Sequence, residues 1–161
     1  MLKYKILLFV GLVASCLVTG IADAEVSDET LSALAIQVST EKGSKKEVAL
    51  EQLAKVGVAA APFVANLIPA KDAATRDAAT RLIDRFGKKA VIEHCIKTLN
   101  SKNEKVRNSA ANALSMLTDY HFGCSPNDTP EQRAQIIDKW TKWLAKWEKD
   151  NAPQTSVPPH K

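Results

Sequence analysis

The chain has 161 residues, 45% apolar and 25% charged, with a formal net charge of +4. That composition belongs to an ordinary globular domain and excludes a collagen, a wholly disordered chain and a multi-span membrane protein. Six glycines and seven prolines are few for a fold built of tight turns, and the abundance of Ala, Leu, Lys and Glu favours helix.

The first segment is an address. Lys3 and Lys5 precede an uncharged run from Ile6 to Val18, and Ala22-Asp23-Ala24 follows as a small-x-small cleavage site. These are the parts of a secretory signal peptide, so residues 1–24 are expected to be removed after Ala24. The apolar run falls short of the ~20 residues of a transmembrane helix, so no membrane span is expected after cleavage. Two other readings stand beside this one. The segment could stay as an uncleaved anchor, or Val13-Ala14-Ser15-Cys16, which resembles a bacterial lipobox, could lead to a lipid anchor at Cys16. The apolar stretch after Cys16 speaks against the lipobox. The domain is expected to be exported, periplasmic or extracellular. Cleavage would leave 20 basic and 17 acidic residues, a charge of +3. That mild charge, export, and the lack of a basic stripe interleaved with aromatics argue against a nucleic-acid partner.

The helices are marked by caps and stripes. Ser27 opens a segment in which Leu31, Leu34, Ala35 and Val38 share one helical face, and Gly43 ends it. Residues 25–43 are therefore read as an N-terminal cap helix. Ser44-x-x-Glu47 and Ser101-x-x-Glu104 have the form of capping boxes, as does Thr129-Pro130-Glu131-Gln132 with Pro at the first helical position. Asp72 is the expected N-cap of the helix that runs to Phe86. Gly57 and Gly87 suit the left-handed position after a helix. The spacing predicts helices over 27–39, 45–56, 59–69, 73–86, 88–100, 103–118 and 130–148, and no strand. Pro153, Pro158 and Pro159 among polar neighbours predict a disordered tail over 149–161.

Residues 44–148 carry a repeat. Aligning the helices that end at Gly57, Gly87 and Thr118 gives spacings of 30 and 31 residues. Lys46, Arg76 and Arg107 then coincide, as do Ala49, Ala79 and Ala110, Leu53, Ile83 and Leu114, and Val56, Phe86 and Leu117. The alanines allow close backbone approach, and the aliphatics continue a buried stripe. The basic residue of each copy stands in the first turn, where it is expected to pair with a neighbouring acid. One helix pair alone cannot bury its apolar side, so copies must stack.

The pattern V-R-x-x-A-A-x-A-L-x-x-L at 106–117, with G-x-x-A-x-P at 57–62, resembles HEAT repeats of the short bacterial kind. The resemblance covers residues 44–118 and a final helix. It implies an all-α fold: a short right-handed α-solenoid of about three HEAT-like helix pairs. Such solenoids are protein-interaction scaffolds, so the resemblance implies binding rather than catalysis. Thr118 stands where the family usually has Gly.

Chemistry-bearing residues are few. The last helix places Ile136, Ile137, Trp140, Trp143, Leu144 and Trp147 within an arc of roughly 120°. This stripe either closes the end of the array or offers an aromatic platform, best at Trp147. The loop 118–129 holds Tyr120 and Phe122, either of which could plug the core; the His121–Pro126 stretch is a second candidate surface. His94, Cys95, His121 and Cys124 are four conceivable metal ligands, but His94 and Cys95 are adjacent on a helix and diverge by about 100°. Cys95 and Cys124, the two cysteines outside the signal segment, could form a disulfide in an exported protein. There is no G-x-S-x-G, H-E-x-x-H, Gly-rich phosphate loop or C-x-x-C-H. No enzyme activity, cofactor or metal is expected.

The expected function is that of an exported, non-catalytic interaction module. The alternatives are a structural accessory subunit of an envelope complex and a metal-binding protein using His94, Cys95, His121 and Cys124. The expected binding surface is Glu93 and Lys97 with Lys139, Lys142 and Lys146. The three lysines are expected opposite the tryptophan stripe, facing an acidic protein or an anionic envelope polymer.

Overall fold

A computed structural model describes residues 26–125 and 127–151. The expected signal peptide, the lipobox reading at Cys16 and the part of the expected tail beyond residue 151 lie outside these residues. Seven α-helices are described: α1 Asp28–Thr40, α2 Ser44–Val56, α3 Ala61–Ala65, α4 Ala73–Phe86, α5 Lys88–Thr98, α6 Glu104–Thr118 and α7 Pro130–Asp150. A 3-10 turn, Gly57–Ala60, leads into α3. Regular structure is all-helical among the described residues.

Local chemistry sets most boundaries. Ser27 caps α1 by accepting from the Thr30 N–H, and Asp72 caps α4 by accepting from that of Thr75. Thr129 and Gln132 form a reciprocal capping box, with Pro130 in the first turn, where its missing N–H goes unmissed. The other two boxes do not form. Gly43 is the N-cap of α2, and no side chain caps it. At α6 the cap is Asn103, which accepts from the Lys105 N–H; the Ser101 hydroxyl is turned to the N–H of Asn103 instead. A serine two residues upstream of an amide can satisfy it in a local turn, and this competes with capping.

Gly57 and Gly87 do end helices at positive φ, 76° and 86°, but with ψ of −144° and 121°. Their backbones are outside the left-handed helical well, in territory closed to side-chain-bearing residues. In the third copy Asp119 takes the left-handed turn at φ 59°. This is one of the few residue types that tolerates it. The helix predicted over 59–69 is shorter: α3 stops at Ala65, and i→i−3 bonds from Leu67 and Ile68 tighten the chain ahead of Pro69. A residue before proline is pushed out of the helical region. α5 also stops early, at Thr98, whereas α7 runs two residues beyond the predicted 148.

The core follows the aligned positions. Ala49, Ala79 and Ala110 are 1%, 0% and 0% exposed, and Leu53, Ile83 and Leu114 are buried beside them. All four stripe residues of α1 are buried. α1 packs on α2 and α3, α3 on α4, α5 and α6, α5 on α4 and α6, and α7 on α5. The helical run Ser44–Ala65 is long and apolar enough to cross a membrane by length and composition alone. In this fold Ala49, Leu53, Ala60, Ala61, Val64 and Ala65 are buried against neighbouring helices, which accounts for its apolarity.

The aligned basic residues behave differently from one another. Lys46 reaches across to the Asp72 carboxylate, an ion pair that joins α2 to the cap of α4. Arg76 makes no ion pair among the described residues, unlike the expectation for it, and both Arg76 and Arg107 turn back to the loop before their helix. Each donates its Nη1 to two carbonyls of the preceding loop: Ala70 and Lys71 at 2.9 and 2.9 Å, Ser101 and Lys102 at 3.0 and 3.1 Å. Arg133 makes the same reach, to Asp128 O. All three are the fourth residue after an N-cap, so the guanidinium folds back along the first turn onto loop carbonyls that have no helical partner.

Candidate functional site

A surface concavity lies beside α7. The N-terminus of α5 supplies Lys88, the end of α6 and its loop supply Thr118, Tyr120 and Phe122, and α7 supplies the rest, from Lys139 to Asp150. The groove is open, with a volume of about 590 Å³.

Aromatic rings form its floor. Trp140 is 1% exposed and anchors α7 on the core. Phe122 meets it edge-on at 4.7 Å. Trp143 lies edge-on to Trp140 at 5.8 Å, and Tyr120 leans on Trp143 at 5.6 Å. Trp147 continues the row, nearly parallel to Trp143 with rings 6.3 Å apart. Trp143 and Trp147 are half-buried and Tyr120 is 52% exposed. Phe122 thus plugs the core as one reading of the loop expected, while Tyr120 remains on the surface.

Cations form the rim. Lys139, Lys142 and Lys146 border the same groove as Trp143 and Trp147, instead of opposing the stripe. The reason is angular: at about 100° per residue the three lysines lie only about 40–100° from Trp143, which sits at the stripe's edge. Lys142 pairs with Asp138 one turn back, at 2.6 Å. Lys88, Lys139 and Lys146 make no ion pair among the described residues. The one carboxylate in the lining is Asp150.

The structure separates the rest of the expected surface from these lysines. Glu93 is half-buried and bound to Lys89, which also holds Glu148 of α7 at 2.8 Å. Both carboxylates raise the pKa of Lys89, Glu148 foremost. The Lys89–Glu148 bond fastens the end of α7 to the start of α5, and Glu93 meets the same Lys89 from one turn along α5. Lys97 is exposed two turns further along α5 and is not part of the groove. The contributions of Lys88 and of the Lys89–Glu148 bridge had no signal in the sequence, because they depend on where α7 crosses α5.

The conceivable metal ligands are not assembled. Among the described residues no three His, Cys, Asp or Glu side chains gather as a metal site would need. His94 is half-buried on α5; burial lowers its pKa, Lys97 adds to that, and Asp28 opposes it. Cys95 and Cys124 are free thiols here. Burial pushes Cys95 up to about 12, and it also raises Cys124 with help from Asp128. Both are therefore held as neutral thiols, poor nucleophiles at neutral pH.

A second, smaller concavity of about 360 Å³ lies between α1 and the α3 region, lined by Ser32, Ile36, Phe63, Pro69 and neighbours, with no charged side chain. No protein-family model, curated protein or solved structure matches the chain.

Proposed function

We propose that this protein is an exported, non-catalytic interaction module: a short right-handed solenoid of HEAT-like helix pairs that presents the groove beside α7 to an acidic protein partner. The observation that carries the reading is the meeting of Lys88, Lys139, Lys142 and Lys146 with Tyr120, Trp143 and Trp147 in one concavity. Aromatics supply contact area at low entropic cost, and a row of like charges selects a partner of opposite sign and speeds its encounter.

Several features support the solenoid. The alanine positions of the three aligned copies are equally buried. Arg76 and Arg107, 31 residues apart, make the same two backbone bonds. Alternate helices touch in succession, α1 with α3, α3 with α5 and α5 with α7. The Thr118 hydroxyl in the lining is already given to Leu114 O.

The test is capture from the envelope fraction of the native host by the wild-type protein and by the triple variant Lys139→Glu, Lys142→Glu, Lys146→Glu. Proteins captured by the wild type should be acidic, should elute as salt rises, and should be lost from the variant while its circular dichroism is unchanged. Equal capture by both proteins would remove the α7 groove from the function.

A further inference from the structure

The identity of the groove's occupant can be narrowed by the geometry of its rim and the chemistry of its lining. Lys139, Lys142 and Lys146 stand three and four residues apart on α7. Their spacing along the helix is therefore about 5–6 Å per step, and the row is about 10 Å long. Beside it, Tyr120, Trp143 and Trp147 offer a continuous apolar strip.

We propose that the occupant is an acidic amphipathic helix of a protein partner, laid along α7 with carboxylates one turn apart on the lysine row and a large apolar side chain on the Tyr120–Trp143–Trp147 strip. This rests on the reading of the groove as the site for an acidic partner, and adds the partner's secondary structure and pattern.

Three comparisons favour a helix. The first is pitch. Carboxylates at i, i+3 and i+7 of a helix repeat at the same 5–6 Å as the lysines. An extended segment places same-face side chains about 6.6–6.8 Å apart and falls out of step with the row. The second is hydrogen-bonding chemistry. The rim is four ammonium groups, which only donate. Asp150 is the one carboxylate, and the Thr118 hydroxyl is already engaged. A sugar polymer carries many hydroxyl donors, for which the lining's free side-chain acceptors are the Asp150 carboxylate and the Tyr120 phenol, whereas a row of carboxylates brings acceptors alone. The third is shape. An interfacial helix enters a bilayer by sinking its apolar face. Here that face lies over the core through buried Trp140, and Trp143 and Trp147 are half-buried in a concavity. Binding an amphipathic helix in a groove is an established mode of recognition, with anchors at helical spacing.

The chain makes the test direct, because all three of its tryptophans are on α7. Intrinsic fluorescence then reports on α7, with Trp143 and Trp147 in the groove and Trp140 beneath it. The full chain without its signal segment is titrated with a synthetic Glu/Leu peptide of about 15 residues patterned as an amphipathic helix. The comparison probes are a scrambled peptide of the same composition, polyglutamate, polygalacturonate and phosphatidylglycerol vesicles. The patterned peptide should shift tryptophan emission, gain helical circular dichroism on binding, and bind at least about tenfold more tightly than every other probe. The triple Lys→Glu variant should lose that binding. A milder pair, Lys139→Gln with Lys146→Gln, should weaken it and guards against misfolding of the triple variant. Equal binding of patterned peptide, scrambled peptide and polyglutamate, all lost in the variant, would overturn the helical occupant and leave an anion-binding groove. Tighter binding of polygalacturonate or of vesicles would overturn it in favour of a glycan or a lipid surface. No response to any probe would sink both this inference and the reading beneath it.

Discussion

α6 and α7 are both amphipathic, yet they are covered to opposite degrees. α6 buries Val106, Arg107, Ala110, Ala113 and Leu114, because α3 and α5 both pack on it and its alanines let them come close. α7 is longer, 21 residues against 15, and fully buries Trp140 alone. Its stripe of large rings is wider than its main helical neighbour, α5, can cover. Small side chains thus produce a helix committed to stability, and large ones a helix that is anchored at one point and leaves contact surface over. The buried core is built from α1 to α6 with Trp140 as the contribution of α7, and the proposed binding surface lies on α7.

The strongest way to break this comparison is at the anchor. Trp140→Ala removes the one fully buried ring of α7, together with its contacts to Phe122 and Trp143, and should cost about 3–5 kcal/mol in urea unfolding. If α7 were a detachable appendage, the global midpoint would not move. A smaller effect is expected from Ala110→Phe in α6, where the residue is 0% exposed: about 1–3 kcal/mol for overpacking. The matching change at exposed Ala145 in α7 should stay within about 0.5 kcal/mol. Equal costs at the two alanines would mean that the repeat register is wrong.

Acid sharpens the same contrast. Hydrogen bonds from Lys46 and Thr75 hold the Asp72 carboxyl well below its ordinary value of 3.8. Because the folded value is depressed, the stabilisation is present above 3.8 and is lost as pH falls toward the folded value. The melting temperature of the wild type should therefore drop more steeply below that pH than that of Asp72→Asn. Parallel curves would show that the pair does not tie α2 to α4 in solution. The smallest effect on stability is expected for Trp147→Ala, a half-buried ring, at under about 1 kcal/mol. The same variant should markedly weaken binding of the patterned acidic peptide.

The helices were legible in the sequence where a stripe and a cap agree. Leu31, Leu34, Ala35 and Val38 announce α1, and Thr129 to Gln132 announce α7. The failures have local causes. Ser44 and Ser101 match a capping pattern, but a glycine and an asparagine take the cap in their place. Pattern alone cannot decide between adjacent polar residues. The expected binding surface was half legible. Periodicity finds the lysines of α7, but their relation to Trp143 turns on a fraction of a helical turn. Glu93 looks solvent-facing on its own helix, with Lys89 one turn before it, and the link from Lys89 on to Glu148 forms only where α7 crosses α5. Lys88 joins the groove by the crossing of two helices, which no periodicity records.

The most direct test of the central claim is a two-dimensional amide correlation spectrum of labelled protein titrated with the patterned acidic peptide. The three indole N–H resonances all belong to α7 and serve as markers. The account predicts that Trp143, Trp147, Tyr120 and the backbone of Lys139 to Lys146 shift together, while Ser32, Ile36 and Phe63 of the uncharged concavity and Lys97 of α5 stay still. Shifts confined to the uncharged concavity or to Lys97, with the α7 indoles silent, would contradict it.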